Sequence, residues 1–228
     1  MEVPYRDRAP APRWLLGLAA VTGALAVLAM LTIDQPLARW LAGYQALAFW
    51  DRILDVLEWG LGLPLIPWTS AIVLVIVMGV VTANPKWRHL APAWMFVAAV
   101  HILSRIAMVQ IKDLTGRLRP LEWLKKGGDT FGRHGGISFP SGHVVLFASI
   151  VIPLIVLYPR LRPLVAIVVF AMLARLAVDA HFVSDTLGAV ALVALVTWVC
   201  GWAIRPLRGG SSTARQEPHT AARAVLAS

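Results

Sequence analysis

Six long apolar stretches dominate the sequence and restrict what the chain can fold into. They occupy residues 14–33, 59–82, 91–111, 142–158, 163–179 and 183–204. A helix needs about 20 mainly apolar residues to cross the hydrocarbon core of a bilayer, and every stretch reaches or approaches that length. With 58% hydrophobic and 14% charged residues, the chain is too apolar for a water-soluble globule of its size. We therefore predict an all-α, polytopic membrane protein with six transmembrane helices.

The two ends of the chain differ in character. The first apolar stretch is longer than the 7–15 residues usual in a signal peptide, so we expect a retained span and not a cleaved leader. We expect one membrane domain over residues 1–208 and a disordered cytoplasmic tail over residues 209–228, which are small and polar. The single cysteine, Cys200, cannot form an intrachain disulfide.

The net charge of +9 comes from basic residues placed between the apolar stretches. This pattern favours membrane orientation and anionic head groups over nucleic acid. The positive-inside rule then predicts that both termini are cytoplasmic and that the loop 34–58 lies outside. Segment 112–140 breaks the rule, because it carries six basic and three acidic residues yet falls on the outer face. We interpret the retained charge as a site for an anion; the alternative is a long loop translocated regardless of charge.

Two polar motifs lie at the two ends of this basic segment. In "KDLTGRLRP", Lys112 and Arg119 are suited to hold phosphoryl oxygens, although basic residues also end membrane helices by snorkelling. In "PSGH", Ser141 is a candidate N-cap and Gly142 lets an anion approach the free N–H groups of a helix start. His143 follows in the first turn, where it is either a proton donor to a bound group or an interfacial anchor.

A third motif, "ARLAVDAHFVSD", contains Arg175, His181 and Asp185. An arginine within an apolar span is costly and indicates a partner or a function. His181 and Asp185 are four residues apart, so the carboxylate can accept the Nδ1 proton and leave Nε2 as a nucleophile or base. The alternative is a structural hydrogen bond that closes a loop.

The crossing count places all three motifs on the same outer face. Together they supply cations, helix N-terminal N–H groups and two histidines, of which only one has an adjacent carboxylate. Phosphoryl transfer requires this combination of charge stabilisation, nucleophile and acid. We also predict a mobile loop over the site at residues 121–139, with Trp123 at the membrane interface.

The motifs Lys-x6-Arg-Pro at 112–120, Pro-Ser-Gly-His at 140–143 and Arg-x5-His-x3-Asp at 175–185 resemble those of the type 2 phosphatidic acid phosphatase (PAP2) superfamily, which also includes vanadium haloperoxidases. The resemblance implies a PAP2/haloperoxidase-like helical core. One departure is Ala174, where the family usually has a serine before the arginine. The roles that the resemblance implies are phosphate binding by Lys112, Arg119, Arg175, Ser141 and Gly142, nucleophilic attack by His181, orientation by Asp185, and protonation of the leaving oxygen by His143.

The resemblance further implies a phosphatase that needs no metal or other cofactor. We expect it to hydrolyse a lipid phosphate or diphosphate through a phosphohistidine, at the outer face of a bacterial-type inner membrane. The alternatives are a phosphotransferase with an acceptor other than water, and a non-catalytic protein that binds or transports anionic lipids. The expected partners are the lipid substrate and the membrane, with no nucleic acid; the sequence leaves the oligomeric state and the lipid open.

Overall fold

The computed structural model describes residues 11–42, 68–132 and 135–204, together with residues 52, 53 and 56. These residues form helices and loops, with no strand among them. Two short 3₁₀ helices, Arg88–Leu90 and Pro159–Leu164, lie in connections. The α-helices are α1 (Trp14–Thr32), α2 (Asp34–Ala42), α3 (Thr69–Ala83), α4 (Ala91–Thr115), α5 (Pro120–Lys126), α6 (Gly142–Leu157), α7 (Val165–Ala177) and α8 (Val183–Ala203).

Apolar helices coincide with the described parts of all six predicted stretches; residues 59–67 of the second stretch lie outside the described part of the chain. Helices α1 and α8 and the continuous run Arg88–Lys126, which contains α4, are long and apolar enough to cross a membrane. Helices α3 and α6 are apolar but shorter, with 15 and 16 residues, and α7 has 13. The chain is therefore a helical membrane protein with three candidate spans among the described residues, and six crossings remain a prediction.

Helix α6 lies at the centre of the bundle. It packs against α4, α7 and α8, and α1 lies along α8. Val144 and Val145 on α6 join Ala189 and Val193 of α8 in a fully buried cluster that also includes Leu15 of α1. Burial of each large aliphatic side chain contributes roughly 1.5–3 kcal/mol. The apolar interior thus fixes the ends of α6 and α8 relative to one another.

A glycine reverses the chain where α4 ends. Gly116 has a φ of 52° and donates its N–H to the Lys112 carbonyl at 2.9 Å. The left-handed backbone that glycine adopts readily turns Arg117 back into the protein. The Arg117 carbonyl oxygen then accepts the Ser138 N–H at 2.9 Å, while the Leu118 N–H donates to the Thr130 carbonyl oxygen at 2.9 Å. The connection between α4 and α6 is held against the bundle by these bonds.

The expectation of a mobile loop over residues 121–139 needs correction. Residues 121–126 belong to α5, and the following segment makes the backbone bonds just described. Trp123 is 5% exposed, with Arg39 over its ring at 5.0 Å, and so packs inside the protein and not at the interface. The predicted tail, residues 209–228, lies outside the described part of the chain.

Candidate active site

His181 and Asp185 form a buried pair where α8 begins. His181 precedes the helix and Asp185 is its third residue; they are 3% and 0% exposed. The imidazole Nδ1 lies 3.4 Å from Asp185 Oδ2. That same oxygen accepts hydrogen bonds from Ser138 Oγ at 2.6 Å and from the Phe182 N–H at 2.9 Å. The carboxylate is thereby fixed in place, and its position at Nδ1 favours the tautomer in which Nε2 carries the lone pair.

The surroundings of His181 keep its ring neutral. Burial lowers the pKa of His181 from 6.5 to about 4, and the positive charges of Lys112 and Arg175 act in the same direction. The hydrogen bond and negative charge of Asp185 act against this shift. A neutral imidazole at physiological pH is the form that can attack an electrophile. Lys112 and Arg175, which the sequence places 63 residues apart, therefore act on the same ring.

The three predicted phosphate-binding cations occupy the same end of the bundle. Lys112, in the last turn of α4, donates its Nζ to the Ile137 carbonyl. Arg175, in the last turn of α7, is 8% exposed. Arg119 is the N-cap of α5, and its buried Nε has no hydrogen-bond partner within the described residues.

The start of α6 is attached directly to the start of α8. The Ser141 N–H donates to the Asp185 carbonyl oxygen at 3.0 Å. Ser141 occupies the N-cap as predicted, but its side chain makes no capping bond. Its buried hydroxyl lacks a partner in the described structure, so it remains available to a ligand. His143, in the first turn of α6, is half-buried.

Gly142 is not required by packing within the protein. A Cβ at this position would lie 3.5 Å from the Met108 sulfur, which is an ordinary van der Waals distance. That Gly142 leaves the helix start open to an approaching anion remains a prediction.

A buried ionic cluster that sequence reasoning missed lies behind Asp185. Arg117 is 1% exposed and donates from Nη1 to Asp185 Oδ1 at 2.5 Å and to Ser184 Oγ at 2.6 Å. Its Nη2 donates to Asp34 Oδ2 at 2.8 Å. Asp34 is the first residue of α2 and is 2% exposed. Its Oδ1 accepts the Ser184 N–H at 3.1 Å.

His101, a fully buried histidine of α4, contacts two serine side chains. Its Nδ1 lies 2.7 Å from Ser149 Oγ and its Nε2 lies 2.9 Å from Ser70 Oγ. These contacts join α4 to α6 and α3. Both ring nitrogens are thus occupied within the protein.

No group of three or more His, Cys, Asp or Glu side chains is spaced to hold a metal ion in the part of the chain that the structure describes. The independence from metal that the family resemblance implies remains a prediction.

The molecule is an all-helical membrane protein with a buried His–Asp pair and cationic side chains at one end of its bundle. A family model described as the PAP2 superfamily matches residues 92–208. This match covers more than half of the 228 residues, and the chain belongs to the PAP2 superfamily. No curated protein and no solved structure matches the chain. All three predicted motifs lie within the matched residues, whereas Asp34 lies outside them. Membership supports phosphatase activity in general terms.

Proposed function

We propose that this protein is a metal-independent phosphatase that hydrolyses a lipid phosphate or diphosphate at the outer face of a bacterial-type inner membrane. The observation that carries the proposal is the state of His181. Its ring is buried, its Nδ1 faces a fixed carboxylate, and burial together with nearby cations holds its pKa at about 4. A nucleophile for phosphorus needs these properties.

In the first step, His181 Nε2 forms a bond to phosphorus while the bond from phosphorus to the leaving oxygen breaks. His143 gives its proton to that oxygen. The resulting phosphohistidine carries its positive charge next to Asp185, which accepts the Nδ1–H. In the second step, water attacks phosphorus, His143 takes a proton from the water, and the Nε2–phosphorus bond breaks to release phosphate.

The remaining residues of the site would stabilise charge on the phosphoryl oxygens. Lys112, Arg119 and Arg175 supply positive charge at the same end of the bundle. The free Ser141 hydroxyl and the N–H groups that begin α6 add hydrogen-bond donors. Fixed donors of this kind are among the largest contributions to catalysis of such reactions.

The position of the site supports a lipid substrate. It lies at the ends of apolar helices, and α1 and α3 expose large hydrophobic side chains such as Val27 (56%) and Ile76 (58%). A phosphate on a lipid would meet the cations while its chains stay among these apolar surfaces.

A phosphotransferase would use the same first step and differ only in the acceptor of the second. A protein that only binds or transports anionic lipids would need the cations but no oriented imidazole. The His181–Asp185 contact therefore favours an enzyme over a binding protein.

The test is phosphate release by purified protein in detergent from phosphatidic acid, phosphatidylglycerol phosphate, undecaprenyl diphosphate and lipid A, with and without EDTA. His181→Ala should abolish turnover and the covalent phosphoenzyme. His143→Ala should slow turnover of these lipids about 10²–10⁴-fold, the usual contribution of an acid or base. With a nitrophenyl phosphate, whose leaving group needs no proton, the His143→Ala defect should shrink while the His181→Ala defect stays.

Loss of activity in EDTA that Mg²⁺ restores would contradict the metal-independent mechanism. Equal defects of the two histidine variants on every leaving group would contradict the assigned roles. Transfer of phosphate to an added alcohol in place of water would favour the phosphotransferase.

A further inference from the structure

The ionic cluster behind the His181–Asp185 pair joins the PAP2-matched region to the preceding part of the chain. Arg117 lies between two carboxylates, with Nη1 on Asp185 and Nη2 on Asp34. All three side chains are at most 2% exposed. Asp34 precedes the matched residues by more than 50 positions, so the family motifs give no role for it.

The charges of the cluster bear directly on the proposed nucleophile. Arg117 adds one positive charge and the two carboxylates add two negative charges, which leaves one net negative charge beside His181. If Asp34 lost its negative charge, Asp185 alone would balance the positive charge of the Arg117 guanidinium. Charges buried this deeply are weakly screened, so Asp185 would then stabilise a cationic ring less well.

Asp34 also fixes the backbone at the start of α8. Its Oδ1 accepts the Ser184 N–H at 3.1 Å, and its Oδ2 accepts the Ser184 hydroxyl. Ser184 is adjacent to Asp185 in the first turn of that helix. A single carboxylate from α2 therefore contacts both Arg117, which is bonded to Asp185, and Ser184, which precedes Asp185 in the chain.

We propose that Asp34 is a positioning residue for the His181 nucleophile, acting through Arg117 and Ser184 on Asp185. The inference rests on the proposed phosphatase activity. It assigns part of the site to the chain outside the family match. Removal of the partner that orients a metal-bound histidine commonly costs about 10–100-fold in activity, and we expect a loss of the same order here.

The experiment compares Asp34→Asn with the double variant Asp34→Asn/Arg117→Gln, using nitrophenyl phosphate from pH 3.5 to 8. Asp34→Asn should lower kcat about 10–100-fold with KM changed less than about threefold. It should also move the acid limb of kcat/KM, where His181 gains a proton, to lower pH by about half a unit, because a negative charge is lost. The double variant loses one charge of each sign and should return the limb toward its wild-type pH.

The matched control is Asp113→Asn, which removes an exposed carboxylate near the end of α4 and should leave kcat and the limb unchanged. Lys112, Arg175, Asp179 and Asp185 also surround His181 and stay the same in every variant. Size-exclusion elution and thermal unfolding at each pH report whether a variant is folded.

The outcomes separate the two proposals. No phosphate release by the wild type would reject the phosphatase itself. An active wild type with an Asp34→Asn variant of unchanged kcat and limb would reject the role of Asp34 alone. A lower kcat with an unmoved limb would show a purely structural residue and also overturn the inference.

If Asp34→Asn does not yield monodisperse protein, Asp34→Glu provides the test. This variant keeps the charge and displaces the carboxylate by one methylene. Because Asp34→Glu keeps the negative charge, the limb should here stay at its wild-type pH while kcat falls about tenfold; a wild-type kcat, or a limb that moves as predicted for Asp34→Asn, would overturn the inference.

Discussion

Asp179 combines an unfavourable backbone conformation with burial of its carboxyl group. Its φ is 50°, a left-handed value that asparagine, aspartate and glycine tolerate better than other residues. The side chain is 7% exposed, and its Oδ2 lacks a hydrogen-bond partner among the residues described. Burial raises the pKa of Asp179 from 3.8 to about 6. It lines a small cavity with His181 and Asp34, so the cost is located beside the proposed nucleophile.

This shift predicts a stability that depends on pH. Because the folded-state pKa lies above the unfolded value of 3.8, stability falls as pH rises from about 4 through about 6. The loss amounts to about 1–3 kcal/mol. Asp179→Asn tolerates the same φ and removes the titration. Its melting temperature in detergent, relative to wild type, should therefore rise by about 2–6 °C between pH 4.5 and pH 8. If the difference in melting temperature between the variant and the wild type stayed constant across this range, the pKa of Asp179 would not be raised in the folded protein.

At the scale of single residues, the sequence predicts the candidate catalytic residues better than the buried residues that hold them in place. His181, Asp185 and the helix start at Ser141 can be found from motif spacing, because their partners lie within a few residues. Asp34 and Arg117 look like solvated loop charges, since 83 positions separate them and neither shows a periodic pattern. Ser138 is likewise an ordinary loop serine until the fold brings it to Asp185. Burial of such residues depends on tertiary contacts that one sequence does not reveal.

At the scale of helices, hydrophobic stretches locate the bundle accurately. The stretches 91–111 and 183–204 correspond to α4 and α8, and α4 extends only one turn further than predicted. The short helices α2 and α5 were missed because each has fewer than ten residues, and a search for apolar runs of membrane-spanning length does not detect elements this short. Asp34 begins α2 and Arg119 is the N-cap of α5, so the missed elements support the site.

A glycine contact between α8 and the loop before α6 gives a prediction at this scale. A Cβ at Gly188 would overlap the ring of Phe139, two residues before Ser141. Gly188→Ala should therefore destabilise the protein by about 1–3 kcal/mol and lower kcat/KM by displacing the start of α6. Gly79→Ala on α3 is the matched control, since a Cβ there meets nothing within 4 Å. Thermal unfolding and turnover of both variants check this; equal behaviour would show that the Phe139 contact is not tight.

At the scale of the whole molecule, the helix ends define two opposite faces. The three motifs lie at one end, and the turns at Arg88–Leu90 and Pro159–Leu164 join helices at the other. This arrangement agrees with alternate crossing of a membrane by the apolar helices. Which end faces the outside rests on the basic residues between the helices and stays a prediction.

Cysteine labelling tests the orientation. Asp129 and Lys86 are exposed and lie at the opposite ends just described. With Cys200 replaced by serine, a cysteine at Asp129 should react with an impermeant reagent added to intact cells. A cysteine at Lys86 should react only after the membrane is opened. Labelling of both in intact cells would contradict the crossing pattern, and the reverse pattern would place the site in the cytoplasm.

The bridge from Arg117 to Asp34 also limits how freely parts of this protein can be exchanged. A transplant of residues 92–208 into another N-terminal half would carry every PAP2 motif but would leave Arg117 without its second carboxylate. Breaking a buried ion pair typically costs a protein about 3–5 kcal/mol of stability, and Arg117 would keep only its pair with Asp185. We therefore expect a chimera to be stable only when its N-terminal half has an acidic residue at the position where α2 begins. This position has to match between the two halves.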